Sequence, residues 1–163
     1  VNRRIALAVG VQVAILALVL MPPTMIRATG TVIHLETEKM DPRALFRGDY
    51  VILGYKVAQG ILSEQQEQQA RSRAMPVYVS VSTERPGKFL GVSFDPPTPA
   101  QGRACIVGRA RGWDGAVDFP QVAQFFVPEG TGRALESARG ENLLAKIAVS
   151  NSCKAVLLGL EPR

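Results

Sequence analysis

Few side chains in this sequence are of a kind that does chemistry, and their spacing narrows the choice further. Asp49 and Glu129 are carboxylates beside turn-forming glycines (Gly48 and Gly130), Lys56 is an amine shortly after Asp49, and His34 is the single imidazole. Covalent hydrolysis needs a nucleophile with a base within reach, and with one histidine no Ser-His-Asp arrangement can be drawn. His34 reads instead as an exposed histidine on the polar face of a strand, beside Glu36. Cys105 and Cys153 are the two thiols, with no CxxC and no HxxxH. These are too few thiolate and imidazole ligands for a usual zinc site, so neither metal nor cofactor is expected. Each cysteine lies in an apolar stretch. A pair of buried thiols and, outside the cytoplasm, a Cys105–Cys153 disulfide both fit that setting. Gly130-Thr131-Gly132 lacks the length and the following Lys-Ser/Thr of a phosphate loop and reads as a turn opening a helix. Trp113, beside Asp114-Gly115, reads as an aromatic flanking a turn.

The elements that must carry these residues begin with an apolar segment. From Ile5 to Met21 the chain reads IALAVGVQVAILALVLM, with Gln12 its only polar side chain. Extended to Ile26, the run has about the twenty residues that cross a hydrocarbon core as a helix. A buried core helix would carry a polar stripe, and none is present. A cleaved signal peptide would share the basic Asn2-Arg3-Arg4 start but needs a shorter apolar run and a small-x-small cleavage site. The expectation is an uncleaved anchor through the lipid bilayer over residues 5–26, with Arg3 and Arg4 cytoplasmic and the rest periplasmic or lumenal. Gly10 and Ala14, an i,i+4 pair, and mid-span Gln12 would pack against neighbouring helices. The domain division follows: residues 1–28 as cytoplasmic tail and anchor, residues 29–163 as an outward-facing domain.

After the anchor the pattern changes to short alternating runs. TGTVIHLET puts Ile33 and Leu35 on one face and His34 and Glu36 on the other; DYVILGYKV aligns Val51, Leu53, Tyr55 and Val57. SEQQEQQARSRA is a polar surface helix, opened by a capping box of Ser63 and Gln66, with Glu67 and Arg71 at i,i+4. MPVYVSVST with GKFLGVSF, RACIVGRARGW with GAVDF, and KIAVS with CKAVLLGL read as hairpins around Arg85-Pro86-Gly87, Asp114-Gly115 and Asn151-Ser152. GTGRALESAR reads as a second short helix, and Gly91, Gly108 and Gly159 mark bends inside strands. Seven or eight short strands with two modest helices predict a mainly β domain, an antiparallel barrel or sandwich. The net charge of +5 is scattered, with no basic run. Nucleic acid is therefore not an expected partner.

Two resemblances converge on residues 39–55. KMDPRALFRGD is similar to the Ser-Met-x-Pro-Thr-Leu-x-x-Gly-Asp motif of membrane-anchored signal peptidases, through Met40-Asp41-Pro42 and Gly48-Asp49. Lys39 stands where the serine nucleophile would be, and the spacing is one residue longer, so the Ser-Lys chemistry is absent. The closer resemblance is to the GDYXXLXY protein family, whose signature Gly48-Asp49-Tyr50-Val51-Ile52-Leu53-Gly54-Tyr55 matches position by position. Arg43 and Arg47 before it, and Phe126-Val127-Pro128-Glu129-Gly130 later, resemble that family too. The resemblance implies a bacterial, membrane-associated protein of uncharacterised function and supplies no catalytic residue. Read physically, Gly48 permits a turn, Asp49 can accept backbone hydrogen bonds or pair with Arg43 or Arg47, and Leu53 and Tyr55 share the inward face. The functional expectation is a non-catalytic single-pass protein, an accessory or assembly subunit of an integral membrane complex. Its alternatives are a diverged envelope hydrolase using Asp49, Glu129 or Lys56, and a small-ligand or lipid-binding barrel.

Overall fold

The computed structural model describes residues 3–38, 50–112, 114–126 and 143–163, with the backbone alone described at 50–52 and 126. Helix α1 spans Arg3–Thr29 and buries none of its residues. Leu7, Leu18 and their neighbours are more than half exposed all around it. A helix apolar on every side finds no partner in its own domain, and this one is long and apolar enough to cross a membrane. Gly10, Gln12 and Ala14 are exposed on it. The helix continues through Pro22 and Pro23, whose rings remove two N–H donors from the ladder. Thr24 Oγ1 donates to Leu20 O at 3.0 Å and to Met21 O at 2.9 Å, binding carbonyls in that turn through a side chain.

Gly30 alone separates α1 from β1, the first of ten strands among the described residues: β1 (Thr31–Glu38), β2 (Tyr50–Ile52), β3 (Gly54–Tyr55), β4 (Val77–Ser82), β5 (Phe89–Ser93), β6 (Arg103–Ala110), β7 (Val117–Asp118), β8 (Gln124–Phe126), β9 (Leu143–Val149) and β10 (Ala155–Pro162). They form antiparallel sheets in the orders β10-β9-β1-β3, β5-β4-β6-β7 and β2-β8. The two larger sheets share one core: Ile33 and Leu35 of β1 and Ile147 of β9 are fully buried, as are Val77, Val79 and Val81 of β4 and Ile106 of β6. This is the alternation seen in the sequence, because a strand with one buried face places every second side chain inward. The chain is therefore mainly β, with a long apolar N-terminal helix and one short helix, α2 (Glu64–Ser72), described in the domain.

The three expected hairpins form as β4–β5, β6–β7 and β9–β10. Gly91 and Gly159 sit where the register shifts, at bulges in β5 and β10. At Gly108 a β-carbon would lie 2.5 Å from Asp118 O, so only glycine lets β6 and β7 approach this closely. The helix GTGRALESAR and Trp113 lie outside the described residues.

Three local readings change. DYVILGYKV is not one strand: β2 pairs with β8, β3 pairs with β1, and Val57 lies in a 3-10 turn over Lys56–Ala58. The chain passes from one sheet to another at Leu53, whose N–H donates to Ala123 O at 2.8 Å. Helix α2 has the expected Ser63–Gln66 capping box but is not wholly a surface helix, since Glu67 and Ala70 are buried. Glu67 Oε2 accepts the N–H of Gly115 at 3.1 Å. Gly115 has φ +67°, a left-handed conformation that turns this N–H toward the helix. Finally, His34 is not exposed, with a side-chain accessibility of 16% beside Glu161.

Candidate functional site

The candidate site lies at the end of β1 remote from α1. Eight residues of extended chain separate it from the anchor, about 26 Å at strand rise. There the two sequence blocks that carry the family resemblance meet. Tyr50 pairs with Phe126, Val51 with Phe125, and Ile52 with Gln124 in a two-stranded antiparallel ribbon. Residues 76 positions apart (126 minus 50) are thus brought into one register.

The second half of the first block fixes this ribbon to the core. Tyr55 is buried, and its hydroxyl donates to Val122 O at 2.6 Å. Its ring packs against Phe119 at a centroid distance of 5.8 Å. Burial pushes the Tyr55 phenol well above its ordinary value, so the group stays neutral and remains a donor. Leu53 packs against the same core. Leu53 and Tyr55 therefore clamp the segment 119–123 that leads into β8, and Tyr50 stands at the outer end of the ribbon. Gly48, Asp49, Arg43 and Arg47, and Pro128, Glu129 and Gly130 of the second block, lie outside the described residues.

A polar network borders the same end of β1. Arg111 donates to Asp114 Oδ2 at 2.8 Å and to Gln59 Oε1 at 3.1 Å, and Gln59 donates to Glu38 Oε2 at 2.6 Å. The hydrogen bond from Arg111 holds the Asp114 carboxyl below its usual range. Asp118, 3.9 Å from Arg111, is pushed the other way by burial. The sequence showed Asp114-Gly115 only as a turn; Gln59 and Glu38 join it through the β1–β3 pairing, which has no local signal.

Lys56 is engaged by a carboxylate, Glu36 Oε2 at 2.9 Å. Glu161 gathers His34 at 3.5 Å, Lys146 at 3.1 Å and Arg85 at 3.2 Å on the polar face of β1, β9 and β10. Among the described residues, no group of three His, Cys, Asp or Glu side chains is placed to hold a metal ion. Cys105 and Cys153 form a disulfide, with Cα atoms 4.9 Å apart.

Residues 12–160 match the sequence model of the family described as GDYXXLXY protein, and the chain belongs to that family. Searches of curated proteins and of solved structures returned no match.

Proposed function

We propose that this is a non-catalytic, single-pass membrane protein whose β domain docks a partner, as an accessory or assembly subunit of a larger membrane complex. The observation that carries this reading is the β2–β8 ribbon. The two blocks of the family signature meet there, on a short ribbon locked to the core by Tyr55 and held away from the anchor. An element that presents two chain segments side by side is a means of recognition. In this reading α1 remains as the anchor and the domain faces the periplasm or lumen. Arg3 and Arg4 at the cytoplasmic end favour that orientation. The Cys105–Cys153 disulfide favours it independently, since such bonds persist in oxidising compartments.

A docked subunit uses its anchor as well as its domain. Small residues allow close helix approach, and packing drives helix association in lipid. Gly10→Leu with Ala14→Leu is expected to release the protein from its complex on native gels of gently solubilised membranes, with the melting midpoint of the β domain unchanged. Full retention of a complex in the double variant, or a complex that survives replacement of the whole anchor by an unrelated one, contradicts the proposal.

A further inference from the structure

The end of the domain next to α1 carries a concave site separate from the ribbon. A cavity of about 70 Å³ opens between the start of β1, the Pro97–Ala100 loop, the start of β6 and the β9–β10 turn. Its polar lining is Thr31, Ser80, Thr98, Arg103, Ser150 and Asn151, and no acidic residue lines it. Ser150 closes its own turn by bonding to Lys154 N–H and O. Among the described residues, the side chains of Thr31, Ser80, Thr98, Arg103 and Asn151 make no hydrogen bond or ion pair. Arg103 keeps its guanidinium free at the cavity, whereas Arg85, Arg111 and Arg163 are each paired with a carboxylate. Four neutral hydrogen-bonding side chains and one unpaired guanidinium around an acid-free cavity are complementary to an oxyanion, and the planar fork of arginine suits phosphate.

The position of the cavity indicates where the phosphate comes from. If residues 5–26 lie in the hydrocarbon, they span about 33 Å at helix rise, close to the thickness of a bilayer core. Arg27 to Thr29 then lie at headgroup level. Thr31, on the cavity wall, follows the helix end by two residues. Cys105 lines the cavity, and its bridge to Cys153 ties β6 to the β9–β10 turn. We propose that this cavity binds a phosphate group, supplied by the headgroup of an anionic phospholipid in the leaflet that the domain faces. The proposal for the lipid source rests on α1 being an uncleaved anchor; the oxyanion chemistry of the cavity does not.

The test uses the full chain, purified in detergent, with phosphatidylglycerol, phosphatidylcholine and inorganic phosphate as the probes. Native mass spectrometry is expected to show phosphatidylglycerol retained in preference to phosphatidylcholine. Arg103→Gln should weaken that retention about tenfold, the value of one charge-assisted hydrogen-bonding partner. Arg103 is exposed, so its replacement should leave the unliganded melting midpoint in place; Thr98→Val and Asn151→Leu serve as independent variants. If inorganic phosphate stabilises the wild type but not Arg103→Gln, with no preference between the two lipids, the phosphate site stands and its source is soluble. If lipid retention and phosphate stabilisation are the same in the wild type and all three variants, the proposal is overturned. Alkaline extraction of native membranes reads the anchor separately. Release of the protein there defeats the anchor reading and the lipid source, while the phosphate comparison still decides the cavity.

Discussion

Tyr55 shows how one side chain can turn a sequence signature into a structural tie. Its ring fills the core against Phe119, and its hydroxyl satisfies the Val122 carbonyl just before β8. Tyr55→Phe keeps the ring and leaves a buried carbonyl unpaired, a change that costs about 1 to 3 kcal/mol. For a domain of this size, the melting midpoint should fall by roughly 4 to 12 °C. A midpoint unchanged by Tyr55→Phe would show that the ribbon is held by other contacts. The inward direction of Leu53 and Tyr55 was legible, because alternation forces residues two apart to the same face. The hydroxyl's partner was not, since Val122 is 67 residues away and nothing local marks it.

At the scale of elements, the polar face of β1, β9 and β10 behaves as one charged unit. The bulge between Leu157 and Gly159 sets the register that puts Glu161 opposite Leu144, one step along the face from Lys146. Burial, with Arg85 nearby, holds His34 below the ordinary imidazole value against the pull of Glu161. The hydrogen bond from Lys146 holds the Glu161 carboxyl below its usual range. The unfolded chain therefore takes up protons at a higher pH than the folded one at both groups. Stability from His34 should be complete above about pH 6.5 and decline as the pH falls through its folded value; that from Glu161 should decline at more acid pH. Denaturant unfolding followed against pH should show the first decline in the wild type and lose it in His34→Gln. A slope of the same size in both proteins would remove His34 from this account. Most strands were well marked in the sequence, as were the hairpin turns and the Ser63–Gln66 cap, since each depends on neighbours within a few residues; β8 was not read as a strand. What sequence could not show is non-local. Division of DYVILGYKV between two sheets follows from β8 arriving beside β2, and burial of Glu67 follows from Gly115 offering it an N–H. His34 is covered because β10 brings Glu161 over from the far end of the chain.

The whole molecule joins an apolar helix, a disulfide-braced end beside it, and a ribbon at the opposite end. The bridge spans 48 residues, and the loop entropy of a closed segment of that length amounts to about 4 kcal/mol. Replacing both cysteines by serine should lower denaturant stability by roughly 2 to 5 kcal/mol; a loss well under 1 kcal/mol would mean that packing alone braces that end. The blocks of the family signature sit at the other extreme, joined through β2 and β8. Their common location was outside the reach of sequence, although each block was recognisable alone. The most direct measurement of the docking claim is photo-crosslinking in living cells from a photoreactive phenylalanine analogue placed at Gln124, exposed on β8. Gln68, exposed on α2, provides the comparison in the same domain. The account predicts a discrete adduct with one integral membrane protein from Gln124 and none from Gln68. Identical adduct patterns from the two positions, or no adduct from Gln124 in a folded, membrane-held protein, would contradict it.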